Sequence, residues 1–284
     1  MSREEQLSWE ARWGRPAGLA AILAGAAQLV SSMLFIPEDR DGIERDVDIL
    51  LSIDEQRGGY LASSVLSAVT ALLLTLVFLY LFRAMRARGG GGVPSWFVYL
   101  VIGAPLVYAI ASVAGAVQAL DIADQFTSEP GPVRGDAGSE RAADLGGANP
   151  ALIGLATAGT VGFAFLFVML PLRARRVGLL TPFMGILGVI AGVLVVFPLY
   201  GISPIIQAFW LGALGMLLLG TWPGGRGPAW QSGEAEPWPT SAQRRGLAPT
   251  PGRDEPAELD PSAPPPDSEP VPERPASRKR RKKR

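Results

Sequence analysis

Residues 60–88 read YLASSVLSAVTALLLTLVFLYLFRAMRAR. The segment Tyr60–Phe82 contains no Asp, Glu, Lys or Arg, and an apolar run of about 20 residues is what a helix needs to cross the hydrocarbon core of a bilayer. The next six residues carry Arg83, Arg86 and Arg88 and no acid, the pattern of a cytoplasmic flank under the positive-inside rule. Five further segments have the same uncharged, apolar character: Pro16–Ile36, Trp96–Leu120, Ala151–Leu172, Leu179–Leu199 and Pro204–Trp222. Surface helices of a soluble domain would show a polar face, and none of the six does. Because every backbone polar group must be satisfied internally in lipid, runs of this length read as helices and not as barrel strands. The expected fold is therefore all-α, a polytopic bundle of six transmembrane helices over residues 16–222. A short N-terminal arm, 1–15, precedes it, and a disordered Pro-rich tail, 223–284, follows.

The ends of the runs carry helix chemistry. Asn149-Pro150, Thr181-Pro182 and Ser203-Pro204 each put a capping side chain directly before a proline, the order expected for an N-cap and the first helical residue. Trp96, Trp210 and Trp222, with Tyr60, Tyr80 and Tyr200, mostly fall near run ends, where amphipathic rings favour the interface. Pro105 lies inside the third run and predicts a kink. The first run is too long for a signal-peptide core and is followed by Phe35-Ile36-Pro37-Glu38 without a small-residue cleavage site, so it reads as a retained helix.

Orientation follows from the arginines. The loops after the second and fourth runs, Arg83–Arg88 and Arg173-Ala-Arg175-Arg176, hold bases and no acids, and the N-terminal arm adds Arg3, Arg12 and Arg15. The alternate loops carry the acids, eight of them in Pro37–Gly59. Both termini are therefore expected on the cytoplasmic side. In the first acidic loop, Asp39, Asp41, Glu44, Asp46 and Asp48 do not match a twelve-residue calcium loop. Ile43, Val47, Leu50 and Leu51 share one helical face there, which predicts a short amphipathic helix with its acids in water.

Composition excludes much chemistry. The chain has 284 residues, 26 basic and 26 acidic, with no histidine and no cysteine. Imidazole bases, thiolate nucleophiles, disulfides and the usual zinc ligands are absent with them. No phosphate-binding glycine motif occurs, and no ionisable residue lies within the six runs. Intramembrane charges mark ion pathways and proton relays, so a proton-coupled pump loses its central residues. No catalytic set, cofactor site or metal site is expected, and the chain does not read as an enzyme. The polar groups inside the runs are neutral, among them Gln28, Ser32, Ser67, Thr70 and Gln207, and these leave open a route for a neutral solute. Small residues recur at every fourth position in Gly154, Ala158 and Gly162, and again in Gly188 and Gly192. Such spacing lets helices approach closely in lipid.

After Pro223 the composition changes. Fourteen of the 25 prolines lie in the last 62 residues, and such a segment cannot bury enough apolar surface to offset its chain entropy. Trp222, Trp230 and Trp238 are expected to hold its first part at the interface. Residues 254–273 carry seven acids and no base, and Arg278, Lys279, Arg280, Arg281, Lys282, Lys283 and Arg284 carry seven bases and no acid. Each base near an anionic leaflet contributes about 1 kcal/mol, so the expected partner is anionic lipid or an acidic protein. Nucleic acid is disfavoured, since the run has no aromatic to stack bases and no recognition helix. Of the 26 bases 23 are Arg, which with abundant Ala and Gly points to a GC-rich bacterial genome.

With Trp13–Ala20, the Leu170-Pro-Leu-Arg-Ala-Arg-Arg176 stretch and the Pro-rich basic tail, the chain resembles six-span integral membrane proteins of actinobacterial type. The resemblance implies a membrane bundle and carries no known activity. Two functions are compatible with these readings. One is a structural or interaction role in the plasma membrane through the tail; the alternative is a channel or carrier for a neutral or apolar solute.

Overall fold

In the computed structural model, the described residues are 2–37, 45–89, 93–146, 149–199 and 201–239. They form nine helices and no strand: α1 (Arg3–Leu34), α2 (Arg45–Glu55), α3 (Arg57–Ala87), α4 (Phe97–Ser128), α5 (Gly135–Leu145), α6 (Pro150–Arg176), α7 (Pro182–Val196), α8 (Ser203–Leu219) and α9 (Pro228–Ser232).

Local chemistry explains most boundaries. Ser2-Arg3-Glu4-Glu5 closes a capping box: the Ser2 hydroxyl accepts from the Glu5 amide at 3.2 Å, and the Glu5 carboxylate accepts from the Ser2 amide at 2.7 Å. This starts α1 well before the expected boundary, so residues 3–15 are not a separate arm but the first turns of the same helix. Pro16 removes only one ladder bond, and the helix runs through it. Asn149 and Thr181 cap α6 and α7 by accepting from the Ala151 and Met184 amides, each with proline at the first position. Ser203 does not cap α8. It is itself the first helical residue, and its hydroxyl turns back to the Leu199 amide and carbonyl.

Six helices pack as a closed ring: α1 lies between α8 and α3, α4 between α3 and α6, and α7 between α6 and α8, with α7 and α8 sharing the shortest seam. The centre is aromatic. Phe78 of α3 meets Phe167 of α6 edge-on at 5.2 Å, Phe163 meets Phe167 at 5.2 Å, and Phe167 meets Trp210 of α8 at 5.3 Å, spacings typical of favourable aromatic pairs. Trp210, expected at the interface, is fully buried here. Its indole N–H donates to the Met184 carbonyl at 3.0 Å, which satisfies the ring's one polar group.

The outside of the ring is as apolar as its core. Leu19 and Leu23 of α1, Leu72 and Leu76 of α3, Ile102 and Ile110 of α4, Val161 and Phe165 of α6, Ile186 and Ile190 of α7, and Ile205 and Phe209 of α8 are all exposed. A surface apolar on every helix fits lipid, not water. α1, α3, α4 and α6 are long and apolar enough to cross a membrane. α7 and α8 have 15 and 17 residues, about 22 and 25 Å at 1.5 Å per residue, short of a hydrocarbon core of about 30 Å.

At one end of the ring α2 lies across α4 and α5. Val47, Phe126 and Ala142 form a small apolar cluster there, with Leu50, Leu51 and Leu145 against it. The amphipathic helix expected in the acidic loop is therefore present as α2. Arg141 caps the end of α4, donating to the Phe126, Gln125 and Glu129 carbonyls while lying over the Phe126 ring. The opposite end gathers the start of α1, the ends of α3, α6 and α8, and α9. It carries Arg83, Arg86, Arg88, Arg173, Arg175, Arg176 and Arg226.

Candidate functional site

Two features concentrate polar chemistry, one at each end of the ring. At the arginine-rich end, Glu10 of α1 and Arg88, which caps α3, form a buried ion pair. Arg88 Nη1 donates to Glu10 Oε1 at 2.5 Å and to the Ala84 carbonyl at 2.8 Å. Nη2 donates to Glu10 Oε2 at 2.8 Å and to the Ala229 carbonyl at 2.9 Å, and Nε donates to the same carbonyl at 3.0 Å. All five guanidinium hydrogens are used. The bidentate geometry is the one that only arginine offers a carboxylate. Gln6, one turn before Glu10, donates from Nε2 to Glu10 Oε1 at 2.7 Å.

The pair closes over residues 221–238. Tyr80 is stacked between Trp9, at 5.4 Å, and Trp230 of α9, at 5.8 Å, and its hydroxyl donates to the Glu10 carbonyl. The Arg88 and Arg226 guanidinium groups lie over the Trp230 ring, and Trp230 Nε1 donates to the Leu179 carbonyl at 2.9 Å. Arg226 Nη2 donates to the Leu218 carbonyl. The chain then passes so close to Gly178, with its left-handed φ of +78°, that a Cβ there would overlap the Glu236 carbonyl. Residues 223–238 thus belong to the fold and not to a disordered tail. Trp230, Trp238 and Arg226 supply the burial that composition averaged over 62 residues hides.

At the other end a vestibule of about 820 Å³ opens beside Pro37, Pro198 and Gly201 and enters the ring. Gln28, Ser32, Ser67, Thr70, Tyr108 and Gln207 give it a neutral polar lining, and among the described residues no charged one lines it. Its inner wall is Leu74, Phe163, Phe167 and Leu211, which pack on the buried Phe78 and Trp210. The vestibule is therefore blind towards the arginine-rich end.

The residues singled out in the sequence divide. Arg278, Lys279, Arg280, Arg281, Lys282, Lys283 and Arg284 lie outside the described residues, as do Asp39, Asp41 and Glu44. Among the described residues no three metal-ligating side chains converge. Gly188 and Gly192 of α7 face α6: a Cβ at Gly188 would lie 2.6 Å from Pro171 Cγ and 3.0 Å from Trp210 Nε1, and one at Gly192 2.7 Å from Val168 Cγ2. Gly162 abuts Ala104 of α4, whereas Gly154 and Ala158 are exposed and Gly154 has open space around it. The close approach of α6 to α4 is made by Gly159, whose Cβ would lie 2.8 Å from the Tyr108 amide nitrogen.

The Glu10–Arg88 pair was not anticipated, since Arg88 read as a loop charge and Glu10 lay in the N-terminal arm. A signal was present. On the buried face of α1, Gly14, Gly18 and Gly25 approach Tyr80 and α8, and stepping that face back by four residues lands on Glu10 and then Gln6. No protein-family model, curated protein or solved structure matches the chain.

Proposed function

We propose that the chain is a six-span protein of a bacterial plasma membrane, with both termini cytoplasmic and an interaction role exercised through the residues beyond Trp238. The observation that carries this reading is the clasp of Glu10, Arg88 and Trp230. It binds residues 226–238 to the arginine-rich end, so the following segment starts from a fixed point. Arginines at that end and acids at the other support the orientation. α7 and α8 are extended by the uncharged residues of 179–199 and 204–222, which supports counting both as spans. The polybasic run then reaches an anionic leaflet or an acidic partner from a tethered start. In-cell cross-linking and pull-down should recover partners with the full chain and lose them when residues 240–284 are deleted. An unchanged partner set ends the interaction reading. A phosphatase fused at the C-terminus should stay inactive and a fluorescent reporter there should glow; the reverse ends the orientation.

The vestibule favours a second reading, a carrier for a neutral solute with apolar parts. It offers amide and hydroxyl partners beside aromatic walls, the usual composition of a small-molecule site. Flux of neutral solutes into proteoliposomes, reduced by Gln207→Leu, would support it. Flux no greater than in empty liposomes would dismiss it.

A further inference from the structure

A second cavity, of about 1040 Å³, runs along the outside of the ring between α1 and α3 at the arginine-rich end. Pro16, Trp13, Leu76 and Leu79 make its apolar half, and Arg83 and Arg86 stand at the other. From Leu76 to Arg86 the groove follows ten residues of α3, about 15 Å at 1.5 Å per residue. Polarity thus changes along the helix axis over the depth at which a lipid changes from acyl chain to headgroup. Among the described residues that line the groove there is no acid. Both guanidinium groups are held by aromatic rings, Arg83 at 4.3 Å from the Trp9 ring and Arg86 at 5.7 Å from the Phe82 ring. Their placement is therefore less costly to fix on binding. Gln6, also in the lining, is almost wholly buried, and its amide oxygen has no hydrogen-bond partner.

We infer that this groove is a binding site for one anionic glycerophospholipid, independent of the polybasic run. An acyl chain lies against Trp13, Leu76 and Leu79, and the phosphate is held by Arg83 and Arg86. A headgroup hydroxyl, as in a phosphatidylglycerol, is the donor that the Gln6 amide oxygen lacks. The inference rests on the membrane reading but not on the interaction role of the tail.

The test uses the full chain in neutral detergent. Quenching of tryptophan fluorescence is titrated with phosphatidylglycerol or phosphatidylcholine brominated on the acyl chain. Trp9 and Trp13 report from the groove itself. The wild type should be quenched at a mole fraction of phosphatidylglycerol roughly thirtyfold below that of phosphatidylcholine, as expected for two cationic contacts. Arg83→Gln with Arg86→Gln should abolish the difference, and Trp13→Phe should lower the quenched fraction. Full-length protein with every base from Arg278 to Arg284 changed to Gln should keep the preference. Equal quenching by the two lipids overturns the inference. So does a preference that survives the Arg83/Arg86 change, or one that disappears with the polybasic run; the last assigns it to the tail.

Discussion

Arg88→Met should detach residues 221–238 from the bundle. The substitution leaves the Glu10 carboxylate buried without its counter-ion and removes both donors to the Ala229 carbonyl. Breaking a buried pair by removing one partner costs about 3–5 kcal/mol. Each 1.4 kcal/mol is about a factor of ten in an equilibrium, so the open form gains roughly a hundredfold to several thousandfold. Limited trypsin digestion in detergent, read at the Arg226 bond, measures this when opening is fast relative to cleavage. Glu10→Leu should behave similarly, because the Arg88 charge is then left with carbonyl partners alone. The double change Glu10→Leu with Arg88→Met removes both charges and should cost only about 1–3 kcal/mol, mostly from the unpaired Ala229 carbonyl. Arg88→Lys should stay close to Arg88→Met, because an ammonium cannot reproduce the fork. Cleavage at Arg226 accelerated less than about threefold in both single variants would refute the reasoning, since an effect that small lies far below a 3 kcal/mol cost. A double variant that equals the sum of the singles would refute the coupling between the two residues.

The glycines of α6 give a paired expectation. Gly159→Ala should destabilise the bundle by about 1–3 kcal/mol through overpacking on Tyr108, while Gly154→Ala, with open space around it, should be neutral or stabilising by up to about 1 kcal/mol. Detergent-resistance assays of the two variants compare them directly. Thr181→Ala should lower thermal stability by about 1 kcal/mol through loss of the α7 cap; no change in melting would mean that the cap is replaced by water. Because the chain has no cysteine, Ser32→Cys supplies a single thiol. Facing the vestibule, it should react with a membrane-impermeant maleimide added to intact spheroplasts, whereas Arg86→Cys should react only after lysis.

Much of the architecture was legible because its causes are local. Charge-free runs located the six ring helices, proline after Asn149 and Thr181 located two helix starts, and the face of Val47, Leu50 and Leu51 located α2. What was missed depends on contacts distant in the chain. Glu10 and Arg88 look like solvated charges until α1 and α3 are set side by side, and Ala229 joins them from a segment whose overall composition reads as unfolded. Ser203 resembled a cap, but the turn at Leu199 took its hydroxyl first. Trp210 resembled an interfacial anchor because it lies in a short apolar run. Its burial depends on Gly188 of α7 leaving room for the indole, a complementarity that spacing along one helix does not reveal. The vestibule is of the same kind: Gln28, Thr70 and Gln207 come from three helices, and only the ring brings them to one space.

Chain order gives the clasp a meaning in time. Glu10 and Arg88 are 78 residues apart and Arg88 and Ala229 are 141 apart, so the last partner leaves the ribosome after all six ring helices have been made. Until then Arg88 lacks an acceptor for two of its hydrogens, Tyr80 has a ring on one side only, and the arginine-rich end stays open. Closure therefore marks completion. A chain truncated between residues 220 and 228 would carry a full set of ring helices and yet display a lasting defect on the face where its synthesis finished, a difference that proteolytic quality control could act on.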